Sequence, residues 1–189
     1  MIKKILKFRC FAGLIVWIFL LFIANQSMAA TYCVSNEADL TAALNEAKVN
    51  GADDVIKIQQ GTYYGNFVYA STESFGLTIE GGYTALCASR VVDPSNTILD
   101  GEKAGIVLVL SNPNEPATFV VEGITLQNGD YARVGGLYAL TEGGEVTFNN
   151  NIISNNSESG VYFKRIKTVN MTNNTITANS STYGGGIYL

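Results

Sequence analysis

The sequence predicts an all-β chain wound as a parallel coil, three short strands to each circuit of ~25 residues, with one α-helix capping its N-terminal end. Three observations predict it. One three-strand unit recurs three times between Phe119 and Leu189. Only one segment of the exported part has helical periodicity, which excludes alternating strand–helix units. Everything after it is short β-rich runs separated by Gly and Asn turns, with 19 Gly and only 3 Pro in 189 residues.

The N-terminus reads as a secretory leader over residues 1–29. Lys3, Lys4, Lys7 and Arg9 precede an uncharged apolar run from Cys10 to Ala24, and Ser27-Met28-Ala29 is a small-x-small cleavage pattern. The apolar run is short for a membrane span, which needs ~20 residues. The leader predicts a secreted, cell-surface or outer-membrane location. Its removal takes Cys10 and leaves Cys33 and Cys87, expected to pair in an oxidising compartment. It also takes four of the 12 basic residues and none of the 16 acidic ones. The acidic remainder repels phosphate backbones, so nucleic acid is excluded as a partner. The absence of histidine excludes Ser-His-Asp and Cys-His nucleophiles and His-ligated metals.

Residues 30–54 are expected to form the cap. Ser35 or Asn36 can cap a helix over 37–48, with Glu37 and Asp39 favoured by the dipole of its first turn. Leu40, Ala43, Leu44 and Ala47 form one apolar stripe, and Asn50-Gly51 ends the helix. At about three turns it is too short to persist alone, so the stripe must cover something: the open end of the coil.

The coil is expected over 55–189. Its early strands are Val55–Ile58, Leu77–Ile79, Thr97–Leu99, Ile106–Leu110 and Thr118–Val121. The repeats follow. The first strands are Phe119-Val120-Val121, Val146-Thr147-Phe148 and Val169-Asn170-Met171. The second are Thr125-Leu126-Gln127, Ile152-Ile153-Ser154 and Thr175-Ile176-Thr177. The third are Gly136-Leu137-Tyr138, Gly160-Val161-Tyr162 and Gly186-Ile187-Tyr188. Stacked circuits would place like positions ~4.8 Å apart, with Leu126, Ile153 and Ile176 pointing inward. Asn150-Asn151, Asn155-Asn156, Asn173-Asn174 and Asn179 fall at bends, where Asn tolerates the left-handed backbone and can form amide ladders. Gly135-Gly136, Gly143-Gly144 and Gly184-Gly185-Gly186 are expected at tight turns. The chain stops inside the third strand of a repeat, which predicts an N-terminal fragment of a longer protein.

At these residues the sequence resembles the right-handed parallel β-helix, or pectin-lyase-like, superfamily. Ala38-Asp39-Leu40, Ala42-Ala43-Leu44, Asp53–Ile58 and Gly61-Thr62-Tyr63 resemble the cap helix, first strand and G-T-Y turn of its exported bacterial members. Gly135-Gly136-Leu137, Gly185-Gly186-Ile187 and Phe148-Asn149-Asn150-Asn151 resemble the repeat of chlamydial-type polymorphic outer membrane proteins. The resemblance implies a fold that hosts many activities. Its lyases use clustered aspartates on calcium with an Arg or Lys base, and its hydrolases use paired aspartates. The six Asp here (Asp39, Asp53, Asp54, Asp93, Asp100, Asp130) occupy no equivalent positions in successive circuits, so no catalytic set and no metal set is visible.

The best remaining cluster is the turn Asp130-Tyr131-Ala132-Arg133. Glu158 and Tyr183 fall in the corresponding turns of the next two circuits. Stacking would gather Asp130, Tyr131, Arg133, Glu158 and Tyr183 on one edge, an acid-plus-aromatic set suited to sugars. Lys164–Lys167 is a basic turn that offsets the acidic surface. The expectation is a rigid surface scaffold for adhesion or binding of a polysaccharide or cell-surface glycan, without a cofactor and reaching a membrane only through a region beyond residue 189. The alternative is a polysaccharide lyase or glycoside hydrolase with its catalytic coils beyond residue 189. Calcium enters only in the lyase case.

Overall fold

The computed structural model describes residues 28–182 and 184–189. The basic and apolar stretches of the leader and Tyr183 lie outside them. Strand β1 (Thr31–Val34) leads into helix α1 (Glu37–Ala47). Asn36 caps α1: its side chain accepts from Asp39 N at 2.9 Å, while its Nδ2 donates to Asp39 Oδ2 at 2.8 Å. Leu40, Ala43, Leu44 and Ala47 are all buried, as the apolar stripe requires. Lys48 lies just past the last turn rather than inside it.

The chain then winds through rungs of three strands. The first has β2 (Asp54–Gln59), β3 (Gly61–Tyr64) and β4 (Phe67–Ala70). The second has β5 (Leu77–Tyr83), β6 (Thr97–Asp100) and β7 (Leu108–Asn112). The third has β8 (Thr118–Glu122), β9 (Thr125–Gln127) and β10 (Val134–Thr141). The fourth has β11 (Glu145–Asn149), β12 (Ile152–Ser154) and β13 (Ser159–Lys164). The last has β14 (Thr168–Thr172), β15 (Thr175–Thr177) and β16 (Ile187–Tyr188). β7 begins two residues later than the apolar run at Ile106 suggests. Its register is set by Leu108, which pairs with both Phe67 and Leu137.

Three parallel sheets result. The first is ordered β1-β2-β5-β8-β11-β14, the second β15-β12-β9-β6-β3, and the third β16-β13-β10-β7-β4. Leu126 pairs with Leu99 and Ile153, and Ile153 with Ile176, so the inward stack expected from the repeat is present. Leu99, Leu126 and Ile153 are fully buried. Each such side chain contributes about 1.5–3 kcal/mol by leaving water. α1 packs over this core at the β1 end.

The asparagine ladders also form. Asn151 Nδ2 donates to Val121 O (2.9 Å) and to Asn174 Oδ1 (3.2 Å), while its Oδ1 accepts from Ile124 N (3.1 Å). Asn156 repeats the arrangement at the next corner with Leu126 O, Asn179 Oδ1 and Gly129 N. The neighbouring Asn150, Asn155 and Asn173 take the left-handed backbone. Gly135 and Gly136 differ from expectation: they lie inside β10 rather than at a turn. A Cβ on Gly135 would sit 2.6 Å from Gly129 O and 2.8 Å from Asn156 Cβ, so close approach of corner and strand requires glycine there.

Cys33 and Cys87 form a disulfide with Cα atoms 5.9 Å apart. Cys87 lies in an insertion between β5 and β6 that makes the second rung longer than the others. Leu86 and Cys87 are both left-handed there. Arg90 ties the insertion down through Glu122 (2.8 Å), Glu80 (3.2 Å) and Gly81 O (2.9 Å).

Candidate functional site

Strand alternation gives the third sheet two faces. Leu108, Leu137 and Val161 point inward and are fully buried. The residues beside them point outward: Val68, Val109, Tyr138, Tyr162 and Tyr188, in register from rung to rung. Three consecutive rungs therefore place tyrosines in one column. The Tyr138 and Tyr162 rings lie 5.4 Å apart, tilted by 70°, and those of Tyr162 and Tyr188 lie 4.6 Å apart, tilted by 57°. Each ring is half-buried. Burial, and then the neighbouring Tyr162 phenol, hold the Tyr138 hydroxyl above the ordinary tyrosine range. It is a neutral donor at physiological pH.

The corner between β9 and β10 delivers the second part of the site. Asn128 and Arg133 are left-handed, and Val134 N donates back to Tyr131 O at 3.1 Å, so the turn projects sideways. A cleft of about 170 Å³ opens between this turn and the tyrosine column, lined by Ile106, Tyr131, Ala132, Arg133, Val134, Tyr138 and Tyr162. Its walls are mainly apolar, with phenols and a guanidinium at the rim. Aromatic faces and a few directed polar groups are what a sugar ring requires, with C–H faces stacking and hydroxyls bonding at the edge.

Of the residues expected at the site, Tyr131 and Arg133 line this cleft. Asp130 is exposed on the same turn, with its N–H bound to Gly105 O (2.9 Å), but does not line the cleft. Glu158 is on the same edge one rung on, and its Oε2 accepts from Ser181 Oγ at 2.9 Å. Tyr183 lies outside the described residues. Tyr138, Tyr162 and Tyr188 are additional members of the surface. The repeated Gly-x-Tyr of the third strands was their signal in the sequence, since alternation sends that Tyr to the face opposite the buried neighbour.

A larger cleft, about 510 Å³, lies where the third sheet turns into the first, lined by Asp53, Asp54, Ser74, Gly76, Thr118 and neighbours. Its acids serve the fold. Asp53 Oδ1 accepts from Gly76 N (2.6 Å), and Asp54 Oδ1 accepts from Ala30 N (2.8 Å) and Asn50 Nδ2 (2.9 Å). Among the described residues no three Cys, Asp or Glu gather where they could hold a metal ion.

The right-handed β-helix region family model matches residues 54–189. No curated protein and no solved structure matches the chain. The matched span runs from the first residue of β2 through the last rung, so the chain belongs to the right-handed β-helix family.

Proposed function

We propose that this β-helix is a rigid, exported scaffold that binds a glycan along the outer face of its third sheet. The observation that carries the reading is the in-register column Tyr138–Tyr162–Tyr188 beside the Tyr131–Arg133 cleft. A stack of rungs repeats its outer face at every strand spacing, so successive sugars of one chain would meet successive rings. Tyr138 and Tyr162 stand on β10 and β13, each hydrogen-bonded to a neighbouring strand on both sides, so little order is lost there on binding. Arg133 at the rim would bond hydroxyl or acidic substituents. The leader read in the sequence supports export to the cell surface, where the outward-facing tyrosine column would serve adhesion.

The test is calorimetry of the full chain against a panel of neutral and acidic oligosaccharides, repeated with Tyr162→Ala and Arg133→Ala. Loss of the central ring should weaken the best ligand about tenfold, the scale of a buried aromatic anchor. No binding by the parent chain, or equal binding by both variants, defeats the proposal.

A further inference from the structure

The first sheet begins with β1, which among the described residues pairs only with β2. Thr31 is opposite Val55 and Cys33 opposite Lys57, and Val55 N donates to Ala30 O at 2.9 Å. In a parallel pair this register turns the backbone groups of Ala30, Tyr32 and Val34 toward β2. Those of Thr31 and Cys33 face away, and they make no hydrogen bond among the described residues. Helix α1 runs alongside and leaves a groove of about 360 Å³, lined by β1 together with Asp39, Ala42, Ala43 and Glu46. The alanines keep the groove open. Both charged residues are acidic, and among the described residues no basic side chain lines it. The Cys33–Cys87 bridge fixes β1 in place. An unpaired edge on an immobilised strand is a template for a further strand.

We propose that this groove takes an extended basic segment of a partner protein, which adds to β1 as a strand and sets Lys or Arg side chains against Glu46 and Asp39. Asp39 Oδ2 already accepts from Ser35 Oγ and Asn36 Nδ2. The Glu46 carboxylate, on an exposed residue and with no hydrogen bond or ion pair among the described residues, therefore supplies most of the charge selection. The surface lies at the capped end of the coil, away from the tyrosine column, and the proposal does not depend on glycan binding.

The probe is a capped hexapeptide of alternating lysine and valine, titrated into the full chain and followed by calorimetry. Two companions accompany it: one with glutamate for lysine, and one N-methylated at every second residue to remove the strand donors. The parent peptide should bind and the glutamate peptide should not. N-methylation should weaken binding about thirtyfold, since it removes the two strand donors that the outward carbonyls of Thr31 and Cys33 would accept. Glu46→Lys should weaken it about threefold to fivefold, the range of an exposed charge pair. Glu46 is exposed on α1, so the variant is expected to keep its fold, checked by circular dichroism. Absence of binding by the parent peptide overturns the proposal. So does equal binding of the N-methylated peptide, which would mean charge attraction without strand addition. A dimer in sedimentation that buries β1 and excludes the peptide would assign the groove to a second copy and also overturn it.

Discussion

Replacing Asn151 with Ala removes a side chain that is fully buried at the corner between β11 and β12. Two backbone groups lose a hydrogen bond. Ile124 N–H loses the acceptor that it reaches at 3.1 Å, and Val121 C=O loses a donor at 2.9 Å. Asn174 Oδ1 keeps a second donor, Asn151 N at 3.0 Å, so that rung suffers less. The orphaned Ile124 N–H costs about 1–3 kcal/mol and the bond lost at Val121 C=O, which keeps its strand donor, about 1 more, which puts the variant about 2–4 kcal/mol below the parent. That is a large share of the ~5–15 kcal/mol by which a domain is stable. Urea unfolding of the full chain, followed both by far-ultraviolet circular dichroism and by tyrosine fluorescence, measures it; coincident transitions license a free energy. Asn155→Gly is the control. Asn155 is exposed, left-handed and bonded only weakly, to Ser154 Oγ at 3.4 Å, so its loss should change stability by less than about 0.5 kcal/mol. If Asn151→Ala matches the control, the ladder does not hold the corner and the reasoning fails.

Three further outcomes are expected. Changing Cys33 and Cys87 together to Ser frees a loop with a sequence separation of 54 and should cost about 4 kcal/mol in the chain-entropy model, read as a lower urea midpoint; an unchanged midpoint contradicts it. Gly135→Ala drives a methyl into Gly129 O and Asn156 Cβ and should lower stability by at least about 2 kcal/mol, whereas Gly143→Ala meets no neighbour and should lose only the cost of its positive φ. Asp100 sets up a pH dependence. Its burial raises its pKa, but donors from Glu102 N, Gln127 and Asn128 outweigh that and leave it below the ordinary aspartate range. A depressed folded pKa gives stability that is complete above the unfolded value near 3.9 and is lost as pH falls through the folded one. Asp100→Asn should therefore flatten the acid limb of the stability curve below about pH 4. An unchanged limb contradicts the assignment.

Much of the architecture was legible because one circuit cannot bury its inner face alone. That requirement forces Leu126, Ile153 and Ile176 to recur in step, and the same phase carries the asparagines that close the corners. The disulfide was legible by count once the leader is set aside. The insertion between β5 and β6 was not, because its shape depends on left-handed Leu86 and Cys87, two residue types that give no turn signal. Half of the candidate cleft was legible. Tyr131 and Arg133 stood out as polar and aromatic residues in a turn, but Glu158 is bonded to Ser181 instead of facing the cleft. The tyrosine column was present in the aligned third strands, yet its meaning depends on which face alternation assigns to each residue. The free edge of β1 gave no signal at all. Its four residues show no clear alternation, and only the sheet order reveals that one side is unpaired among the described residues.

The most direct test of the central claim is a nuclear magnetic resonance titration of the full chain, carrying ring-labelled tyrosine, with the oligosaccharide that calorimetry selects. Glycan binding along the outer third sheet predicts that the Tyr138, Tyr162 and Tyr188 ring signals move together and saturate at one ligand concentration, while the interior Tyr63 and Tyr69 stay fixed. Saturable binding that leaves those three rings unmoved would contradict it.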